Sequence, residues 1–282
     1  MRPCQIVALL VCGGSLALVG CGPAKEAEEG RVATYLQDKL HAIVVTRPED
    51  QAVVQVTLAS AADVDDKALA ELGKLYRLEE LSLANTKITD ATLPQIQKMT
   101  QLRKLNLTNI PVTDAGLAQL KDLPLTWLNL GGTKVTDAGM NTVKGFSGLT
   151  WLDVGRTGVT DAGVASLTGL KELRTLYLDS DPITDAALPG LKNLPKLQHL
   201  FLAKTAIGDA GLGTLGQLAE LDELSIDETN VGDAGAEALG NSLSAFAKPK
   251  LQSLSILKTK ITVEGKSKIK RANSFIDITG PE

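Results

Sequence analysis

Leu149-Thr-Trp-Leu-Asp-Val-Gly-Arg-Thr-Gly-Val-Thr-Asp-Ala-Gly-Val164 holds two periodicities side by side. Leu152 and Val154 alternate with Trp151 and Asp153, the period of two that puts leucines on one face of a strand and the indole on the other. Thr160-Asp161-Ala162-Gly163 then opens a helix, with Thr160 as the N-cap and Asp161 in the first turn, where the helix dipole favours an acid. Val164, Leu167 and Leu170 follow three apart and form the helix's inner face. The register L-x-x-L-x-L-x-x-T-x-[IV]-T-D-A-G-L returns from Leu78, Leu102, Leu125, Leu149, Leu173, Leu197 and Leu221, at spacings of 24, 23, 24, 24, 24 and 24 residues. A copy at Leu251 comes after a 30-residue interval, and Val54 to Leu58 belongs to an irregular first copy.

A unit this short cannot bury its own apolar face, so the copies must stack and share one core. The motif resembles the leucine-rich-repeat family over residues 54–264, about nine copies by repeat counting. The resemblance implies an α/β solenoid, a curved horseshoe with a parallel β-sheet on its concave face and helices on its convex face. Thr86, Thr133, Thr157, Thr205, Thr229 and Thr259 stand where many family members carry asparagine. Their hydroxyls can serve backbone groups at that turn, though less fully than an amide. Asp90, Asp114, Asp137, Asp161, Asp185, Asp209 and Asp233 read first as helix-capping chemistry, with Gly208 and Gly232 replacing the capping threonine in two copies. Pro94 and Pro189 fall early in two helical segments, which are expected to start late or be distorted.

The termini follow a different logic. Arg2 precedes an uncharged run from Pro3 to Gly20 that has the character of an export signal. Leu18-Val19-Gly20-Cys21 resembles the lipobox of bacterial lipoproteins, which implies cleavage before Cys21 and a diacylglycerol on its sulfur. An ordinary cleaved signal and a retained membrane helix are the alternatives, the apolar run being at the short limit for spanning. Cys4 and Cys12 lie inside the segment that would be removed, so no thiol remains for a disulfide. Gly22 at the next position favours an outer-membrane destination over the inner membrane, by resemblance to known sorting signals.

The chain therefore divides into a signal peptide (1–20), an acidic flexible tether (21–30), an N-terminal cap (31–53), the repeats (54–264) and a C-terminal cap (265–282). The N-terminal cap is expected to contain a helix from Val32 to Leu40 and a strand at Ile43-Val-Val45. From Lys248 to Arg271 there are eight basic residues and one acid, Glu264, which defines a basic end. The net charge of −4 points to neither nucleic acid nor a generally anionic surface as a partner.

Aligning the outward strand positions gives two columns. The first reads Gln55, Glu80, Lys104, Trp127, Trp151, Thr175, His199, Glu223, Ser253, and the second Thr57, Ser82, Asn106, Asn129, Asp153, Tyr177, Phe201, Ser225, Ser255. Both tryptophans of the chain fall in these columns, with Tyr177 and Phe201 beside them, although only 3% of residues are aromatic. Such rings bury large areas on a partner at little entropic cost. Asp153, Arg156 and Asp179 are candidates for a polar rim, and His199 lies within the same patch. The competing reading is plain cross-strand stacking of Trp127 on Trp151.

Catalytic or cofactor chemistry has little support. Gly211-Leu-Gly213-Thr-Leu-Gly216 matches a nucleotide-binding pattern by letter but lies in the helical half of a repeat, without the preceding strand that would aim donors at a phosphate. Asp179-Ser-Asp181-Pro-Ile-Thr-Asp185 has neither the glycine nor the glutamate of a calcium loop. His199, Glu223 and Ser225 sit on adjacent strands without an identifiable oxyanion hole. The expectation is a non-enzymatic, lipid-anchored module that needs no cofactor and binds a protein of the cell envelope, a glycan being the less favoured ligand. The alternative is a structural envelope protein that self-associates or contacts cell-wall polymer through its basic end.

Overall fold

The computed structural model describes residues 23–58, 64 and 66–280. The export signal and Cys21 lie outside the described residues. Helix α1 (Pro23–Leu40) leads into β1 (Ile43–Thr46), which turns back antiparallel onto β2 (Val53–Thr57). From β2 onward every pairing is parallel: β3 (Glu80–Ser82), β4 (Lys104–Asn106), β5 (Trp127–Asn129), β6 (Trp151–Asp153), β7 (Thr175–Tyr177), β8 (His199–Phe201), β9 (Glu223–Ser225), β10 (Ser253–Ser255) and β11 (Asp277–Thr279). The eleven strands form one sheet in simple sequence order. The helical half of each copy covers one side of it, so the molecule is a leucine-rich-repeat solenoid whose concave sheet face is left open. A single apolar cluster runs from Val32 to Ile276. Among the described residues no helix is long and apolar enough to cross a membrane.

Strand register follows the repeat register. Gln55, Glu80, Lys104, Trp127, Trp151, Thr175, His199, Glu223 and Ser253 pair in turn, which is the first outward column. Each central leucine between the two columns is buried, as Leu128, Leu152 and Leu200 are. After each strand from β3 to β10 one residue turns left-handed, from Asn85 and Asn109 through Gly132, Arg156, Ser180, Lys204 and Glu228 to Lys258. Positive φ is unusual at Arg, Lys or Glu. It is held here because the same residue donates its N–H to the next copy, as Arg156 does to the Asp179 carbonyl at 2.9 Å and Lys204 to that of Asp227 at 2.8 Å.

The asparagine-position threonines bond within their own turn. Thr86, Thr133, Thr205, Thr229 and Thr259 donate their hydroxyls to the carbonyl three residues earlier, at 2.6–2.9 Å. Thr157 instead meets Asp181, which occupies the equivalent place in the following copy.

Threonine N-caps form as expected at Thr113, Thr136, Thr160, Thr184 and Thr262, each side chain accepting from the N–H two residues on. The aspartates do more than cap. Asp137 Oδ1 accepts the backbone N–H of Thr160 in the next copy, and its Oδ2 accepts the Thr160 hydroxyl, both at 2.7 Å. Asp114, Asp161 and Asp233 make the same paired contacts to Thr136, Thr184 and Thr262, and Asp90 to Thr113. Asp185 and Asp209 bond the N–H of Gly208 and Gly232. The acidic row is thus an inter-repeat ladder of charge-assisted hydrogen bonds.

The glycine of the same motif has the complementary reason. A Cβ on Gly163 would stand 2.4 Å from Asp137 Oδ1 and 2.8 Å from Val159 Cγ1, and Gly139, Gly211 and Gly265 meet the preceding aspartate in the same way. Two copies carry Thr92 or Ala187 at this place, and both begin with a 3-10 turn, Asp90–Thr92 or Asp185–Ala187, before a four-residue α-helix with Pro94 or Pro189 near its start. A side chain at this position and an early proline therefore go with the distorted entry expected from the prolines. Gly163→Ala, which keeps a full α-turn, is expected to destabilise the fold by about 1–3 kcal/mol through overpacking. A thermal melt unchanged from wild type would show that the ladder yields freely.

Residues 23–30, assigned from the sequence to a flexible tether, form the first part of α1. The reason is Glu29, 1% exposed, which accepts from Arg77 Nη2 at 2.8 Å and Nε at 3.2 Å and from the Val53 N–H at 3.3 Å. The Glu29 hydrogen bond also raises the pKa of Arg77 above its ordinary value. At the other end the 30-residue copy absorbs its extra length in a helix of eleven residues, Asp233–Leu243, and the loop behind it.

Candidate binding face

Strands in a parallel sheet lie roughly 4.8 Å apart, so aromatic side chains at one register position are forced to stack. Trp127 and Trp151, paired across β5 and β6, stack at 4.2 Å between ring centroids with planes 13° apart. Tyr177 and Phe201 stack across β7 and β8 at 4.1 Å and 3°. Trp151 pairs in register with Thr175, so its contact with Tyr177 runs diagonally between the two columns, at 5.2 Å and 47°. The four rings form one continuous stripe crossing the open face, all of them half-buried. Stacked pairs of this kind contribute roughly 0.5–1.5 kcal/mol beyond the area they bury. They also immobilise the rings before any partner arrives.

The remaining candidates fall along the stripe. His199 lies beside Phe201 and shares a 3.1 Å hydrogen bond between its Nδ1 and the Thr175 hydroxyl. Asp153 Oδ1 accepts the N–H of Gly155 at 2.8 Å, and Asp179 Oδ1 that of Ala203 at 2.7 Å. One oxygen of each aspartate therefore fixes a turn. Burial raises the pKa of both, in Asp153 against the Gly155 hydrogen bond and the charge of Arg156, in Asp179 together with the nearby charges of Asp153 and Asp227. Arg156 is exposed at its left-handed turn. The Tyr177 hydroxyl is held protonated by desolvation first, then by Glu223, Asp153 and Asp179, and so remains a hydrogen-bond donor.

Asp181 lies behind this edge, in the segment that lacks the residues of a calcium loop. It is 3% exposed, its Oδ1 accepts the Thr157 N–H at 2.7 Å, and its Oδ2 is buried without a hydrogen-bond partner. Burial, and after the opposing Thr157 hydrogen bonds the charges of Asp153 and Asp179, push its pKa up to about 7. The signal was available: it is an acid in a column otherwise filled mostly by threonine. Because the folded value lies above the unfolded one, this group's contribution to stability is complete below about pH 4 and is lost as pH rises to about 7. Asp181→Thr is expected to stabilise the protein by about 1 kcal/mol at pH 8. The gain should shrink at pH 5, and paired denaturant titrations at the two pH values check it.

The Asp179–Asp185 segment does not converge on a common centre, since Asp179, Asp181 and Asp185 each bond a different backbone N–H. Among the described residues no group of three or more His, Cys, Asp or Glu is placed to hold a metal ion. Three of the eight basic residues of the basic end pair with glutamates of neighbouring copies. Lys250 pairs with Glu220 at 2.6 Å, Lys258 with Glu228 at 2.9 Å and Lys268 with Glu237 at 2.9 Å.

Comparison with known proteins agrees with this architecture. Residues 76–121 match the family described as Leucine Rich repeats (2 copies). The chain thus carries leucine-rich repeats, in sequence as well as in fold. Among solved structures it is similar to internalin C2 from Listeria monocytogenes str. 4b F2365, at 27% identity over 76% of this chain and 84% of that one, with a TM-score of 0.57. None of the curated proteins compared with the chain matches it.

Proposed function

We propose that the protein is a non-catalytic binding module of the bacterial cell envelope that grips a protein partner with its concave aromatic face. The observation that carries this reading is the stripe Trp127, Trp151, Tyr177 and Phe201, two stacked pairs joined by a tilted contact, whose rings remain partly open to solvent. Aromatic anchors in the middle of a rigid surface are the usual site of concentrated binding energy, with polar groups around them excluding water. Asp153, Asp179, Arg156 and His199 supply that surround. The solenoid shared with internalin C2 is a scaffold that presents such a face preformed, which lowers the ordering cost of association.

The anchor is a lipid on Cys21, exported by the 1–20 signal and retained at the outer membrane, with the mature chain restricted to the membrane surface. Cys21→Ser is expected to move the protein from the membrane fraction to the soluble fraction. Unchanged, detergent-dependent recovery in the membrane fraction would contradict lipidation at this residue. Contact through the basic end is disfavoured by the pairing of Lys250, Lys258 and Lys268 with glutamates. Partner capture from envelope extract, comparing wild type with Trp127→Ala/Trp151→Ala, tests the face itself, and equal recovery of every captured protein would remove it as the contact surface.

A further inference from the structure

The aromatic stripe ends at Trp127, and beyond it the open face holds a depression of about 270 Å³ over β2 to β5. Trp127 lines it, while Trp151 stacks on the opposite, β6 side of the same ring. Lys104, the direct register partner of Trp127 on β4, pairs its ammonium with Glu80 on β3 at 2.6 Å. The indole is thus capped by Trp151 on one side and also lines the depression.

Besides Trp127, Val56 and Leu81, the lining is polar, and it is neutral in sum. Gln55, Thr57 and Ser82 have side chains without hydrogen-bond partners among the described residues. Asn106 is oriented: its Oδ1 accepts from the Thr108 N–H at 3.0 Å and the Thr108 hydroxyl at 2.6 Å, which leaves Nδ2 as a fixed donor. With Lys104 neutralised by Glu80, no excess charge is present to attract a phosphate or a carboxylate.

We propose that this depression binds one neutral hexopyranose ring of a saccharide, stacked on the β4 side of Trp127 and hydrogen-bonded by Gln55, Ser82 and Asn106. The C–H face of a pyranose carries partial positive charge and is attracted to the negative face of an aromatic π-system. Its ring hydroxyls both donate and accept, which suits amide and hydroxyl side chains offered from adjacent strands. Nucleotides fit less well, because base stacking in open grooves is accompanied by unpaired cationic residues along the backbone path. The site shares Trp127 with the aromatic stripe but does not rest on the protein-contact reading, since Gln55, Ser82 and Asn106 lie outside the four rings.

The test is a titration of the purified full-length protein with cellobiose, maltose and N,N′-diacetylchitobiose, followed by tryptophan fluorescence and by calorimetry. A saturable signal is expected with at least one disaccharide, weakened about tenfold or more by Asn106→Ala and by Gln55→Ala, each lost contact being worth roughly one factor of ten. Tyr177→Ala/Phe201→Ala should leave it unchanged. Two variants are used because Asn106→Ala also removes the Thr108 contacts, and circular dichroism establishes that each is folded. No saturation with any of the three sugars, or saturation indifferent to both pocket variants, overturns the proposal. Retained protein capture by Asn106→Ala separates this outcome from failure of the aromatic-face reading.

Discussion

Glu29→Ala is expected to lower the stability of the folded protein by about 3 kcal/mol, near the lower end of the range for breaking a buried ion pair. Glu29 is almost fully enclosed and holds Arg77 through two nitrogens while accepting the Val53 N–H at the start of β2. Its removal takes the buried acceptor away from a guanidinium and a backbone donor together. The loss stays near the lower limit because the Arg77 side chain is 19% exposed and keeps Asp50 at 2.9 Å. Glu28 is the control: its side chain is 42% exposed, it reaches Lys74 only at 4.0 Å, and its replacement should cost well under about 1 kcal/mol. Denaturant unfolding of the two variants distinguishes a docked helix from a tether. Equal, small losses would mean that residues 23–30 do not pack.

The second large effect concerns recognition. Trp151→Ala is expected to weaken binding of the captured partner by about 2 kcal/mol or more, roughly thirtyfold, the scale of a central interface anchor. Trp151 lies inside the stripe and touches Trp127 at 4.2 Å and Tyr177 at 5.2 Å, so its removal separates Trp127 from the other two rings. His199→Ala should change affinity by no more than about threefold, since its Nδ1 is already engaged by Thr175 and it contributes at the margin of the patch. Surface plasmon resonance on the partner identified by capture gives both numbers. Comparable effects of the two substitutions would point to a generally disturbed sheet rather than an anchor.

Much of this geometry was legible in the chain. The repeat spacing placed the outward columns correctly, because a period of two within each strand and a constant copy length leave no freedom of register. Thus Trp127 over Trp151 and Tyr177 over Phe201 could be read from Leu125, Leu149, Leu173 and Leu197. What escaped were contacts between copies made by side chains whose local role was already satisfactory. Asp137 is a good first-turn acid in its own helix, and nothing within one copy shows that its carboxylate reaches Thr160. The sequence trace of that contact is indirect: a glycine at 163, needed because a Cβ there would meet Asp137, and its loss in the copies that begin with Asp90 and Asp185.

Glu29 illustrates the opposite failure. Residues 22–30 are small, polar and acidic, as a tether should be, and the one acid that is buried differs from its neighbours only in having Arg77 opposite, 48 residues away. Such pairing has no periodic signature. Asp181 was visible as an exception in its column, but its meaning required the knowledge that the site is sealed and that only one of its oxygens finds a donor.

The chain contains only two tryptophans, and both belong to the proposed contact surface, so their oxidation by N-bromosuccinimide, counted at the indoles, reports on that surface. Oxidation of Trp127 and Trp151, quantified by mass spectrometry with and without the captured partner, tests the aromatic face most directly. Both indoles should react in the free protein and be protected in the complex. Equal oxidation in the two states would contradict recognition through this face.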